Sequence, residues 1–218
     1  MTTRTAEKRI RMSPQARRAQ LIELGVEMLS TRRLEELSVE LIAETAGVSR
    51  GLLFHYFSSK REFHVEVARA AAQEMIRRTE PDTSLAPVEA LRSSLTSFIG
   101  YVEENPDNYK SLVRGAVSGD ADMRAIFDET RSALAQRIVT VVADLGLAVS
   151  PRVELAIRGW VAYVEECVIR WMDGRAISRG ELLEMLTTSL PAVALSATDG
   201  EAGTLVSVLT AGAAISNG

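Results

Sequence analysis

From residue 14 to about residue 194 the apolar side chains recur at helical spacing, and no period-two alternation in that span survives more than a few residues. This pattern predicts an all-α fold of about nine helices. The first covers 14–29, with Leu21, Leu24, Gly25 and Met28 along one face. Ser13 and Pro14 open it as N-cap and first helical residue, where the missing proline N–H costs nothing. Two short helices at 39–46 and 50–57 are opened by Ser38 and Ser49, and the pair Ser59 and Glu62 has the spacing of a capping box for a fourth. Longer helices are expected at 60–78, 87–104, 107–118, 123–145, 151–172 and 179–194. Pro81, Asn105-Pro106, Gly119-Asp120, Gly146 with Pro151, and Asp173-Gly174 mark the breaks between them.

The net charge of −4 argues against a nucleic-acid partner only until it is read by segment. Residues 1–64 carry 11 Lys/Arg against 8 Asp/Glu, and the first eighteen carry six basic residues against the single acid Glu7. The rest of the chain is acidic, which points to a basic module on an acidic body. One cysteine, Cys167, allows neither an internal disulfide nor a cysteine metal site and fits a reducing compartment. No apolar segment follows the basic N-terminus, and the best apolar stretch, Ile138 to Val149, is broken by Thr140, Asp144 and Gly146. The expectation is a soluble cytoplasmic protein with no membrane segment, no metal and no cofactor.

Residues 38–63 carry the information. Two short helices joined by a turn containing Gly47 form a helix-turn-helix, with Leu41, Ile42 and Ala43 packing inward and Ala46 small enough for close approach. Gly47 can take the left-handed conformation that ends the first of them, and Val48 fills the space under the turn. The N-terminal residues of the next helix are then free to enter a major groove about 12 Å wide.

With Arg17-Arg18 before Leu21-Ile22, then Ile42-Ala43, Ala46-Gly47-Val48-Ser49, Gly51, His55-Tyr56-Phe57 and Ser59-Lys60, the chain resembles the TetR family of transcriptional regulators over residues 17–63. The rest resembles the family in length and helical character only. The resemblance implies an N-terminal three-helix DNA-binding domain and a C-terminal helical ligand-binding and dimerisation domain. It implies DNA contacts by Ser38, Ser49, Arg50, Gly51, Leu52, His55, Tyr56 and Lys60. Arg50 stands where a guanine or a phosphate can be reached, Gly51 admits close approach of the backbone, and His55, Tyr56, Lys60 and Ser38 match phosphate contacts. Two positions depart from the pattern. Leu52 replaces a common hydroxyl residue and offers only apolar contact, such as with a thymine methyl; Phe54 stands where tyrosine is frequent. Arg32-Arg33, where the family usually has glycine after its first helix, reads as a solvated turn, and His64 as an ordinary half-buried histidine.

The domains expected are a flexible basic arm at 1–12, the helix-turn-helix domain at 13–63, an effector and dimerisation domain at 64–195, and a small-residue tail at 196–218. The tail is either loosely held or packed through 205–209. The helix at 151–172 is apolar around most of its circumference, and the resemblance implies that it and 179–194 form a homodimer bundle. Phe98, Tyr101, Tyr109, Val113, Phe127, Trp160 and Tyr163 are candidate linings of a pocket for a largely apolar small-molecule effector, or else core. Glu165 and Glu166 are adjacent and so do not face each other; one is expected to point outward toward Arg170.

No catalytic constellation is present: the two histidines belong to no metal or hydrolase motif, and no phosphate-cradling glycine loop occurs. Two functions compete, a repressor released from a palindromic double-stranded DNA operator by an effector, and a helical adaptor without DNA affinity. The adaptor leaves the basic arm and the 38–63 motif unexplained together.

Overall fold

A computed structural model describes residues 12–117 and 120–197. These contain nine α-helices and no strand: α1 Pro14–Met28, α2 Val39–Thr45, α3 Arg50–Tyr56, α4 Lys60–Arg78, α5 Pro87–Glu104, α6 Pro106–Val117, α7 Ala121–Asp144, α8 Pro151–Gly174 and α9 Arg179–Ser196, with a 3-10 turn at Leu34–Glu36. Arg4 to Arg11 of the basic arm and the 205–209 patch of the tail lie outside the described residues. Among the described residues no helix is long and apolar enough to cross a membrane. The chain divides into two compact units between Ala70 and Ala71, within α4.

In the first unit, each expected cap is made. Ser13 Oγ accepts from Ala16 N–H, Ser38 Oγ from Leu41 N–H and Ser49 Oγ from Leu52 N–H, each at 3.1 Å. Satisfying these orphan donors starts short helices that propensity alone would not hold. At α4, Ser59 Oγ accepts from Glu62 N–H at 3.1 Å, but the Glu62 carboxylate turns back one residue further than a capping box and accepts from both N–H and hydroxyl of Ser58. These bonds hold the Glu62 carboxyl below the usual carboxylate range. Gly47, at φ +64°, ends α2: Val48 N–H donates to Ala43 O at 2.9 Å and Gly47 N–H to Glu44 O at 3.1 Å, the Schellman pair. Leu21, Leu37, Ile42, Leu53, Phe57, Phe63 and Val67 form the buried centre, with Phe57 and Phe63 edge to face at 5.0 Å. Gly25 lets α1 and α4 approach, since a Cβ there would lie 2.5 Å from Val67 Cγ2.

The second unit packs α7 against α6 and α8, and α9 against α5 and α8. Ile99, Ile157, Val168, Leu182 and Leu186 are fully buried. Pro87, Pro106 and Pro151 each stand at a first helical position, so α6 begins at Pro106, one residue earlier than the periodicity predicts. Pro191 stands inside α9, which continues through it.

Candidate functional site

In α3 the seven residues divide cleanly. Leu53, with Phe57 just beyond the helix, turns inward and is buried; Arg50, Gly51, Phe54 and His55 lie on the outer side; Leu52 and Tyr56 are half-buried between. The i, i+4 spacing of 53 and 57 produces this division, because it fixes which side faces α1 and α4. The structure thus brings Ser49, Arg50, Gly51, Leu52, His55 and Tyr56 together on one short helix and its cap. Phe54 is 46% exposed, a large apolar ring held in solvent. A Cβ at Gly51 would meet nothing nearer than Ser49 Oγ at 4.0 Å, so the fold does not require glycine there, and the bare backbone faces outward. His55 and Tyr56 rings meet edge-on at 5.3 Å.

The cations of this surface are already engaged. Arg50 pairs with Glu40 in the first turn of α2 at 2.5 Å, both side chains more than half exposed. Lys60, exposed at the start of α4, donates to the Glu35 carbonyl at 3.2 Å. Ser38 and Ser49 use an oxygen lone pair in capping, which leaves each hydroxyl proton free to donate. Other basic residues hold the fold instead. Arg18 lies over the Phe57 ring at 4.9 Å and pairs with Glu66 at 3.1 Å, and Arg33 pairs with Glu36 across the 3-10 turn. His64 Nε2 meets the Leu37 carbonyl at 2.8 Å, and burial holds its pKa below the ordinary imidazole value.

Inside the second unit is a cavity of about 180 Å³ between α5, α7, α8 and α9. Its wall is overwhelmingly apolar, with Leu91, Leu95, Phe98, Leu134, Ile138, Val141, Trp160, Val161, Val164 and Leu190 among its residues. Polar groups enter it only through Thr79, Ser94, Arg137, Trp160 and Glu165. Of the seven aromatic and aliphatic candidates, Phe98 and Trp160 line it. The other five lie elsewhere. The Tyr101 hydroxyl donates to the Ala71 carbonyl at 3.1 Å and burial raises its pKa to about 12; Tyr109 is buried edge-on to Phe98 at 5.7 Å. Val113 packs on the core from the side, Phe127 lies under the Arg131 guanidinium at 4.3 Å, and Tyr163 is 38% exposed on the outer side of α8.

Of the two adjacent glutamates, Glu166 points outward to Arg170 at 2.7 Å, while Glu165 is buried. Its carboxylate is gripped by Arg131 of α7 and accepts from the Tyr109 hydroxyl of α6 at 3.4 Å. Burial raises the Glu165 pKa, and the Arg131 guanidinium works against that rise. Residues 34 and 56 positions apart meet here, and only their burial within an apolar helix could have signalled it. On the outer side of α8 and α9, Leu155 is 72% exposed, with Tyr163 and Met185 partly so. Among the described residues no cluster of His, Cys, Asp and Glu is arranged to hold a metal ion.

Residues 21–67 match the family model for bacterial regulatory proteins of the tetR family, and residues 87–193 match a tetracyclin repressor-like C-terminal domain. A crystal structure of a tetR-family transcriptional regulator from Streptomyces coelicolor is 28% identical, covers 91% of this chain and 90% of its own, and superposes with a TM-score of 0.78. Over 80 residues the chain is 35% identical to the transcriptional repressor KstR2 of Mycolicibacterium smegmatis, a match spanning 36% of this chain and 39% of that protein. The transcriptional activator FasR of the same species is 22% identical over 80% of this chain and 81% of its own length. The chain thus spans less than half the length of KstR2, and it belongs to the TetR family of bacterial transcriptional regulators.

Proposed function

We propose that this chain is a dimeric transcriptional repressor that binds a near-palindromic double-stranded DNA operator and leaves it when a small, largely apolar molecule occupies the second unit. The observation that carries the reading is the outer side of α3. Four of its seven residues are held out in solvent by a helix whose two inward anchors are buried, and Gly51 leaves backbone bare among them. In this reading Arg50 and Leu52 read bases, and Ser38, Ser49, His55, Tyr56 and Lys60 hold phosphates around the close approach at Gly51. Residues 13–63 form the reading domain and 64–195 the effector and dimerisation domain. Repression is the sign printed in the name of KstR2. The apolar cavity supports an effector site, with Phe98 and Trp160 in its wall.

The exposed Leu155, Tyr163 and Met185 on α8 and α9 support a two-fold pairing through those helices. Effector binding shifts the population toward a dimer whose two reading helices no longer match the half-sites. Footprinting on the DNA flanking its own coding region tests the reading. Protection of an inverted repeat, lost in a monomeric Leu155→Arg variant, is the expected result. Absence of any protected repeat at low ionic strength would overturn it.

A further inference from the structure

The effector cavity holds five polar residues, and their hydrogen bonds can be counted. Three are satisfied. The Thr79 hydroxyl donates to the Met75 and Ile76 carbonyls at 2.9 and 3.2 Å, the Trp160 indole N–H donates to Ser189 Oγ at 2.8 Å, and Glu165 is held by Arg131 and Tyr109. Two are not. Ser94 Oγ, on α5, is buried and has no hydrogen-bond partner. Arg137, on α7 and half-buried, uses one N–H to reach the Ile76 carbonyl at 2.6 Å; among the described residues no carboxylate pairs with it. The Ile76 carbonyl also receives the Thr79 hydroxyl, so it keeps a donor if Arg137 turns away.

The chemistry of the missing partner follows from these two groups. A guanidinium only donates, and a serine hydroxyl can donate, so the occupant must bring an acceptor. The one carboxylate in the wall, Glu165, is already neutralised by Arg131, which leaves the cavity with a single uncompensated positive charge. A half-buried cation in apolar surroundings favours an anion, and a planar carboxylate matches the guanidinium fork. Building on the effector reading above, we infer that the cavity takes an amphipathic monocarboxylate. Its apolar body lies against the walls of α5, α7 and α8, and its head is read by Arg137 and Ser94.

The test uses the full chain and three probes sharing one alkyl tail: octanoate, octanol and octylammonium. Binding is followed by tryptophan emission, because Trp160 lines the cavity. At neutral pH octanoate is expected to bind at least about tenfold more tightly than octanol, and octylammonium more weakly than either. Arg137→Met should weaken octanoate far more than octanol and so collapse the ratio between them; Arg137→Lys should keep part of that ratio. Octanol binding as tightly as octanoate, or a preference for the amine, overturns the inference while the cavity survives as an effector site. Binding by none of the three overturns the effector site as well. Should both variants fail to fold by circular dichroism, the wild-type comparison decides alone.

Discussion

Two arginine–glutamate pairs, Arg50–Glu40 on the α2–α3 corner and Arg131–Glu165 between α7 and α8, are made of the same groups in opposite surroundings. At the corner both side chains are more than half exposed; between the helices the Glu165 side chain is 5% exposed. Water shields the first pair so well that separating it costs less than about 1 kcal/mol. Arg50 can therefore change partners when a phosphate or base edge arrives. The second pair has no such exit for its carboxylate: if the guanidinium leaves, a buried charge stays behind. The same chemistry serves exchange in one unit and permanence in the other, and burial alone separates the two uses.

The sharpest break of that contrast lies within α3 and its C-cap. Phe57→Ala should cost about 3–5 kcal/mol in thermal unfolding, because it empties a buried site beneath Phe63. Phe54→Ala, three residues earlier and exposed, should stay within about 0.5 kcal/mol yet weaken operator binding in a gel-shift assay. Equal losses of stability would erase the distinction between the two sides. Next in size is Arg131→Met, expected to cost about 1–3 kcal/mol at neutral pH, reduced because the arginine side chain is itself 36% exposed. Without the guanidinium, only the Tyr109 hydroxyl still opposes burial, and the Glu165 pKa rises further above 4.5. The folded state then holds a proton that the unfolded state has released, so stability falls as pH rises through that window and returns as pH drops toward 4.5. Urea titrations at several pH values would detect it.

Arg50→Ala should leave the unfolding midpoint nearly unchanged and alter base preference by about 1–3 kcal/mol at one operator position, whereas Lys60→Ala should weaken all sequences alike. Unchanged preference in a binding-site selection would remove Arg50 as a reader. The smallest effect concerns His64, whose imidazole burial holds below 6.5. The unfolded chain takes up that proton first, so this stabilisation is complete above 6.5 and is lost as pH falls through the folded value. His64→Gln, which keeps a donor for Leu37, should flatten the decline in Tm between neutral and mildly acid pH, on the order of one or two degrees.

Helix existence and most helix ends were legible because their causes are local. Ser13-Pro14, Ser38, Ser49 and Gly47 each act within four residues of themselves, and the apolar period records which side is buried. The outer side of α3 was legible for the same reason. The Tyr109–Arg131–Glu165 meeting was not, since it joins three helices and leaves no mark at short range. Nor was the cavity wall. Phe98 and Tyr101 are equally aromatic and three residues apart, yet only the packing of α5 against α4 and α9 decides which one faces empty space. Glu40 and Arg50 are near in sequence, but their pairing depends on the angle of the Gly47 turn, which periodicity does not encode.

Pro191 has a consequence of a different kind. Its ring leaves the Thr187 carbonyl without the amide that would close that turn of α9, and Pro191 itself lines the cavity. One wall of the cavity is therefore a helix with an open rung beside the cavity itself. Local opening begins where cooperative bonding is weakest, so amide deuterium uptake should run fastest, within the body of α9, in the turns around that residue. Occupation of the cavity should slow it there first. Minutes-to-hours exchange in α9 would then time how often the chamber opens to the solvent.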